Sequence, residues 1–266
     1  MALIHPTAII ESGAKLAANV QVGPYAYIGP NVTIGEGCSI GHGAHIEGHT
    51  TLGRDNRVFS YAVLGSAPQD LKYAGEPTRL EIGERNTFRE FCQINVGTEG
   101  GGGVTRIGND CLFMGHTHAA HDVIMGNRCI IANFTGIAGH VVMGDYVTIG
   151  AESGIHQFVH IGSFSMIGGA SAVTQDIPPF SLAEGNRAVV RGLNLVGLRR
   201  HLDRDRIDAL KPAYRTIFRS AQTPKAAAET LLQGETTPEV RILCEFVIAS
   251  KRGIPMAQSS LKEEDS

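Results

Sequence analysis

Residues 20–46 read VQVGPYAYIGPNVTIGEGCSIGHGAHI, and every sixth residue of this stretch from Val22 onward is aliphatic. The same step of six runs through residues 4–64 and resumes over residues 107–173. Neither the period of an α-helix nor the two-residue period of a strand gives this spacing. A six-residue repeat is typical of a parallel β-helix, in which each unit forms one short strand and one turn. The sequence therefore predicts a prism of three-sided coils with the recurring aliphatic side chain inside.

Glycine follows many of these aliphatic residues, as at Gly23, Gly29 and Gly35. We interpret these glycines as corner residues, because a sharp corner needs a positive φ, which glycine adopts without steric cost. Coils of this kind resemble the left-handed β-helix family, an exception to the usual right-handed crossover. The predicted fold class is mostly β, a left-handed parallel β-helix of hexapeptide repeats followed by a C-terminal α-helical domain.

The chain divides into two domains where the sequence DIPPFS ends the hexads with two prolines. Beyond it the pattern becomes helical, and Thr223 and Thr237 each precede a proline, as an N-cap precedes the first residue of a helix. We expect a β-helix over residues 1–180, a helical domain over residues 190–257 that covers the open end of the coils, and a disordered tail over residues 258–266.

Two stretches of the β-helix lack the hexad signal: residues 66–79, SAPQDLKYAGEPTR, and residues 97–105, GTEGGGGVT. We expect both to be loops, which often carry functional residues on a rigid scaffold. The glycine run could cradle a phosphate, but it lacks the Lys-Ser/Thr ending and a helical continuation, so we interpret it as a flexible excursion.

Composition excludes several classes of protein. The net charge of −3 argues against a nucleic-acid-binding protein, which would be strongly basic. The five cysteines are scattered without a C-x-x-C pair, which favours free thiols in a cytoplasmic protein. The N-terminus lacks a basic region followed by an apolar core, so we expect no signal peptide, and the absence of a long apolar run predicts no transmembrane segment.

The stretch HTHAAHDV, residues 116–123, places three histidines and an aspartate within eight positions. Such a cluster could bind a metal, transfer protons, or form a polar ladder on an exposed face. One coil of about eighteen residues stacks Asp122 near His140, and His140 near Phe158. We therefore expect one side of the prism to collect His116, His118, His121, Asp122, His140, His156 and Gln157.

Longer motifs carry a family resemblance: QDLKYAGEPTR (69–79), THAAHD (117–122), HQF (156–158) and GLNLVGLRR (192–200). They resemble the UDP-N-acetylglucosamine acyltransferases, and the resemblance covers the whole chain. This family transfers an (R)-3-hydroxyacyl group from acyl carrier protein to the 3-hydroxyl of UDP-N-acetylglucosamine, the first step of lipid A biosynthesis. The resemblance also implies a homotrimer with active sites at the subunit interfaces.

The resemblance implies that His121 is the general base, that Asp122 orients its ring, and that the backbone N–H of Gly139 stabilises the developing oxyanion. An imidazole with a pKa near 6.5 suits the first role, because it is largely neutral at cytoplasmic pH. No cofactor and no metal are expected, since the acyl group arrives as an activated thioester.

The resemblance also implies a set of substrate-binding residues. They are Gln69, Asp70, Lys72, His118, His140, His156, Gln157, Gly169, Asn194, Arg199 and Arg200. Glycine at 169, where the acyl chain is thought to end, leaves room, so we hypothesise a chain of about twelve to fourteen carbons. A basic patch of Arg199, Arg200, Arg204 and Arg206 could attract the acidic carrier, although these could equally form an ordinary charged helix surface.

Some positions depart from the family pattern: Val96 replaces a basic residue, Val196 an acid, and His201 an arginine. These departures leave open a 3-amino sugar as acceptor, which would give an amide. A zinc-dependent carbonic anhydrase of the γ class is another alternative, with the histidines of residues 116–121 as ligands. A purely structural β-helix is a third. A later N-acyltransferase of the same pathway would need an N-terminal domain, for which hexads that begin at Ile4 leave no space.

Overall fold

A computed structural model describes residues 2–256, which form short strands wound into a prism and a helical unit at its end. In chain order the strands are β1 (Leu3–Ile4), β2 (Ile9–Ile10), β3 (Lys15–Leu16), β4 (Gln21–Val22), β5 (Tyr27–Ile28), β6 (Thr33–Ile34), β7 (Ser39–Ile40), β8 (His45–Ile46), β9 (His49–Leu52), β10 (Arg57–Val58), β11 (Val63–Ser66), β12 (Arg79–Ile82), β13 (Thr87–Phe88), β14 (Gln93–Asn95), β15 (Val104–Ile107), β16 (Leu112–Phe113), β17 (His118–Ala119), β18 (Ile124–Met125), β19 (Ile130–Ile131), β20 (Gly136–Ile137), β21 (Val142–Met143), β22 (Thr148–Ile149), β23 (Gly154–Ile155), β24 (His160–Ile161), β25 (Met166–Ile167), β26 (Ala172–Val173), β27 (Ser181–Glu184) and β28 (Val189–Leu193).

Successive strands belong to three different sheets in rotation. Sheet A runs β1-β4-β7-β10-β13-β16-β19-β22-β25-β27-β28, sheet B runs β2-β5-β8-β11-β14-β17-β20-β23-β26, and sheet C runs β3-β6-β9-β12-β15-β18-β21-β24. Neighbours along the coils are parallel, and Leu3 pairs with Gln21, one coil further on. This rotation confirms the predicted parallel β-helix of three-sided coils.

The recurring apolar side chains of the hexads fill the prism. Ile28, Ile46, Phe88 and Phe113 have no exposed surface, and the rings of the last two stack at 5.0 Å. The end coil is the exception, because Ile4 keeps 44% of its surface exposed. An aliphatic hexad residue is therefore buried only where coils lie on both sides of it.

The glycines after the aliphatic residues do not make the corners, so that interpretation was wrong. The positive φ lies two residues beyond the glycine, as at Tyr25, with a φ of 56° after Gly23. The glycines are required by close approach of successive coils instead. A Cβ on Gly35 would lie 2.5 Å from the carbonyl oxygen of Gly53, closer than side-chain carbons come to backbone oxygens.

Both excursions leave the prism at the corner between sheets B and C. The first joins β11 to β12, and the second joins β14 to β15 and contains a 3₁₀ turn at Glu99–Gly101. The strands extend into the predicted loops, because β15 already begins at Val104. Each loop therefore joins a strand of sheet B to the next strand of sheet C, and the strands that the two loops lead into, β12 and β15, pair with each other.

The last coil continues into an antiparallel hairpin, β27–β28, that the hexad pattern did not predict. The helices that follow are α1 (Leu195–Leu198), α2 (Arg204–Arg219), α3 (Pro224–Leu231) and α4 (Pro238–Ala249). Thr223 and Thr237 accept hydrogen bonds from the N–H groups of Ala226 and Val240, as N-caps do. The predicted tail, residues 258–266, lies outside the described residues.

Candidate active site

The corner between sheets B and C collects the histidines of successive coils. Asp122, His140 and Phe158 occupy equivalent left-handed positions, with φ of 60°, 61° and 64°. The His140 ring stacks on Phe158 at 4.4 Å and meets the His121 ring edge-on at 5.0 Å. Sequence-distant rings are therefore neighbours because each coil returns the chain to the same corner.

His121 and Asp122 form a hydrogen-bonded pair. The Nδ1 atom of His121 lies 2.8 Å from Oδ2 of Asp122, whose side chain is only 1% exposed. A carboxylate accepts hydrogen bonds, so Nδ1 carries the ring proton and Nε2 keeps its lone pair. The His121 side chain is 15% exposed, which leaves it access to the surface. This arrangement holds the ring of a candidate base in one orientation.

A cavity of about 600 Å³ opens beside His121 on the outer face of sheet B. Its lining residues are Gln69, His118, Ala120, His121, Gly136, Ile137, Ala138, Gly139, Gly154, Ile155, His156, Gln157, Ala172, Val173 and Thr174. Small residues in one register, Gly136, Gly154 and Ala172, form a stripe along its floor. A Cβ on Gly136 or Gly154 would meet nothing within 4 Å, so the stripe is open space.

Gly139 lies against the His121 ring at the same corner. A Cβ at this position would be 2.6 Å from Cε1 and 2.8 Å from Nε2 of His121, so only glycine permits this contact. Its N–H is not taken up by the coil ladder, in which Ala138 and His140 donate to the carbonyls of Ile155 and His121. A free N–H next to the base can donate to a developing oxyanion.

Burial keeps the neighbouring imidazoles uncharged. It lowers the pKa of His118, and proximity to His121 lowers it further. Burial also lowers the pKa of His140, although the carboxylates of Asp122 and Asp70 oppose that shift. At neutral pH both rings are therefore neutral hydrogen-bonding groups rather than cations.

The far end of the cavity carries a residue that the sequence did not point to. His156 and Gln157, two of the expected substrate-binding residues, are part of the cavity lining. Arg252, just beyond α4, places Nη2 3.3 Å from Nδ1 of His156 and donates from Nε to the carbonyl of Thr174. No hexad or motif signals this arginine, because the fold of the helical unit alone returns it to the last coil.

The first excursion contributes Gln69 to the cavity, but Lys72 does not line it within one chain. Asp70 is near enough to His140 for its carboxylate to oppose the lowering of the His140 pKa, and its Oδ1 accepts the backbone N–H of Lys72 at 3.0 Å. Leu71 between them is fully exposed. The tip of this loop therefore points away from the chain's own cavity.

The C-terminal residues of the predicted site lie at another corner, between sheets C and A. Asn194 caps α1, since its Oδ1 accepts from the Gly197 N–H at 3.1 Å and its Nδ2 donates to the Phe164 carbonyl at 2.9 Å. Arg199 and Arg200 follow directly after α1. Within one chain, none of the three lines the His121 cavity, and the Asn194 amide is already engaged.

Gly169 and His116 lie at the third corner, between sheets A and B. Gly169 is not among the residues of the cavity, and a Cβ there would meet the Ala151 carbonyl at 3.3 Å. The His116 ring is stacked between Phe91 and Phe134, at 4.9 and 4.8 Å. The expectation that His116 joins the cluster was therefore wrong.

Because His116 lies at another corner, it cannot bind a zinc ion together with His121 within one chain, as the carbonic anhydrase alternative requires. The described residues that could hold an ion together are His121, Asp122 and His140, whose ligand atoms lie within 4.8 Å of one another. The Asp122 carboxylate is already hydrogen-bonded by His121 and by Thr98. These contacts favour proton transfer over metal ligation at this corner.

Two arginines of the predicted basic patch form ion pairs within the chain. Arg206 donates from Nε to Oε1 of the buried Glu239 at 2.7 Å, which joins α2 to α4. Arg204 pairs with Asp208 at 3.4 Å. Arg206 is therefore held by a buried carboxylate, whereas Arg204 stays almost fully exposed.

A hexapeptide prism with a histidine–aspartate pair in a surface cavity defines the class of bacterial hexapeptide-repeat transferases. A family model of the bacterial transferase hexapeptide matches residues 1–36 and 105–139, and a model described as Udp N-acetylglucosamine O-acyltransferase, domain 2, matches residues 176–255. The chain belongs to the UDP-N-acetylglucosamine acyltransferase family.

Full-length relatives support this assignment. An acyl-[acyl-carrier-protein]–UDP-N-acetylglucosamine O-acyltransferase of Sulfurovum sp. (strain NBC37-1) is 54% identical over 98% of this chain and 100% of its own length. The protein of that name from Sulfurimonas denitrificans is 57% identical over 98% and 100%. The solved UDP-N-acetylglucosamine acyltransferase of Campylobacter jejuni is 46% identical, with a TM-score of 0.93 over 96% of this chain and 100% of that one.

None of the helices formed by residues 2–256 has the length and apolar content that crossing a bilayer requires.

Proposed function

We infer that the protein transfers an (R)-3-hydroxyacyl chain from acyl carrier protein to the 3-hydroxyl of UDP-N-acetylglucosamine, the first step of lipid A biosynthesis. The observation that carries this inference is the His121–Asp122 pair, which opens into a cavity next to the N–H of Gly139. The family relatives are named for an acyl-carrier-dependent O-acyltransferase, which fits a base directed at a sugar hydroxyl.

The geometry supports general base catalysis. Nε2 of His121 takes the proton of the sugar hydroxyl as its oxygen attacks the thioester carbonyl. The N–H of Gly139 stabilises the resulting oxyanion, and Asp122 stabilises the imidazolium. Collapse of the tetrahedral intermediate breaks the C–S bond, and the imidazolium returns its proton to the departing thiolate. The thioester already activates the acyl group, so this sequence needs no cofactor.

The test of this function is the product formed from UDP-N-acetylglucosamine and a mixture of hydroxyacyl carriers. Mass spectrometry should show one acyl group added, and mild alkali should release it because the bond is an ester. An alkali-stable product formed only from a 3-amino sugar would support the amide alternative instead.

The open stripe suits the acyl chain, because Gly136, Gly154 and Ala172 leave an apolar channel without side chains. We expect Gly154→Leu to fold normally, since no atom lies within 4 Å of the new Cβ, but to fill this channel. Each methylene denied burial costs about 0.8 kcal/mol, or about fourfold in rate. Loss of burial for about three or four methylenes should therefore lower kcat/KM for long-chain carriers about a hundredfold, and that for short ones much less. Competition between carriers of different length measures this, and an equal loss for all lengths would place the chain elsewhere.

The active site is shared between subunits of a homotrimer. Asn194, Arg199 and Arg200 lie at a different corner from His121, so a neighbouring copy is the means by which they could reach the same substrate. Gly169 and Lys72 are also not part of the lining of the chain's own cavity.

Mixed trimers test this arrangement. Inactive His121→Ala and Arg200→Ala homotrimers, unfolded together and refolded as a mixture, should regain activity, because some interfaces then carry both intact residues. Activity no higher than the sum of the two separate preparations would show that each chain works alone.

A cytoplasmic location fits the five free thiols, all of which are buried. Arg199 and Arg200 form no ion pair among residues 2–256 and remain the basic groups for the acidic carrier.

A further inference from the structure

The segment that leaves β14, residues 95–98, touches two groups of the active site. Its members were not among the predicted site residues, and Val96 drew attention only as a departure from the family pattern. Asn95 and Thr98 are both buried, with 0% and 8% of their surface exposed. Their polar groups therefore need hydrogen-bond partners inside the protein.

Thr98 donates to both oxygens of the Asp122 carboxylate. Its backbone N–H donates to Oδ1 at 2.9 Å, and its hydroxyl donates to Oδ2 at 2.5 Å. Oδ2 is the same oxygen that meets His121 Nδ1. The backbone N–H of Asp122 donates in turn to the Thr105 hydroxyl at 2.8 Å. Thr98 near the start of the second excursion and Thr105 at its end therefore both hydrogen-bond to Asp122.

The glycine run closes over this carboxylate. A Cβ on Gly101 would collide with the carboxylate of Asp122, whereas a Cβ on its neighbour Gly100 would meet nothing within 4 Å. The excursion that the sequence suggested to be flexible is therefore the wall that packs against Asp122. Glycine is required at only one of these two positions.

Asn95 fixes the proton of His118. Its Nδ2 donates to the Ala67 carbonyl at 3.0 Å and to the Ser66 hydroxyl at 2.9 Å, which sets the orientation of the amide. Oδ1 then faces Nε2 of His118 at 2.8 Å and can only accept. His118 therefore carries its proton on Nε2 and keeps the Nδ1 lone pair.

We propose that residues 95–98 position the reacting groups of this active site: Thr98 holds the Asp122 carboxylate against His121, and Asn95 makes His118 a hydrogen-bond acceptor toward the substrate. Both are positioning residues, since each acts through another side chain. The kinetic part of this proposal rests on the proposed acyl transfer.

A double-mutant cycle tests the role of Thr98. Thr98→Val keeps the shape and removes the hydroxyl donor, and it should lower kcat about tenfold with KM changed less than about twofold, because the interaction orients the base rather than the substrate. Thr98→Ser should restore most of the rate. In the Asp122→Asn background, Thr98→Val should add less than about a twofold loss. Wild-type turnover in Thr98→Val, or the same loss in both backgrounds, would overturn the assignment.

Neighbouring glycines provide the matched control. Gly101→Ala should lower kcat at least as much as Thr98→Val, because the new methyl displaces Asp122, while Gly100→Ala should match the wild type. Equal behaviour of the two variants would contradict the packing role of the loop. Thr135→Val removes another buried threonine hydroxyl, bonded to the Gly150 carbonyl, and reports any general loss of stability.

The proton of His118 is measured without turnover. Long-range ¹H–¹⁵N spectra of the intact protein, assigned with His118→Gln, should show a neutral ring protonated on Nε2 at neutral pH. Asn95→Ala should abolish this single pattern. A proton on Nδ1 in the wild type would overturn the role of Asn95. Failure of the wild type to form acylated sugar would instead refute the proposed function and leave this measurement valid.

Discussion

Replacing His121 by alanine is expected to lower kcat by about 10²- to 10⁴-fold, the range that general acid–base catalysis contributes. The sugar hydroxyl is a poor nucleophile, and no other described group combines a free imidazole nitrogen with a buried carboxylate partner at 2.8 Å. Binding should change little, since the N–H of Gly139 and the cavity walls remain. Steady-state rates with saturating carrier and sugar measure this effect.

Two comparisons make the result specific. His49→Ala removes an exposed histidine of β9 outside the cavity and should leave kcat unchanged. Asp122→Asn should give a smaller loss than His121→Ala, because the base remains but loses its oriented partner. Turnover by folded His121→Ala within about tenfold of the wild type would remove His121 from the chemistry.

Gly139→Ala is expected to lower kcat by about a hundredfold. The added methyl would lie 2.6 Å from Cε1 of His121, so the ring must move, and a displacement near 1 Å costs about this much in a reaction that depends on aligned groups. KM should change much less than kcat. Rates over a range of sugar concentrations separate the two.

Gly192→Ala is the control for this variant. Its Cβ would meet nothing within 4 Å, so it adds the same methyl to open space in β28. If Gly139→Ala kept the wild-type kcat, the His121 ring could move without a loss of rate. The contact between Gly139 and His121 would then not contribute to catalysis.

The hexad period was enough to predict the prism, because burial of one side chain in six follows directly from a three-sided coil. Stacking by one coil also brought Asp122 and His140 together correctly, within 3.8 Å. The same rule misplaced His116, because it lies five residues before His121, and that difference moves a residue to another corner. The glycine spacing was likewise real, but its cause is close approach of coils rather than backbone torsion.

The loop contacts could not be derived in this way. The path of an excursion of eight or more residues between its two ends depends on how the loop itself packs. Spacing along the chain could therefore not show that Thr98 and Gly101 close over Asp122. Arg252 reaches His156 only after four helices have turned the chain back. A local sequence motif predicts neither the contact of Thr98 and Gly101 with Asp122 nor that of Arg252 with His156.

The sequence by itself determined the coil, the family resemblance and the histidine–aspartate pair, since periodicity and adjacency are properties of the chain. Only the tertiary structure decided which nitrogen of each histidine is free, which corner each residue occupies, and which predicted residues lie apart. Hydrogen-bond direction and close packing depend on groups brought together from distant coils, and no spacing along the chain encodes them.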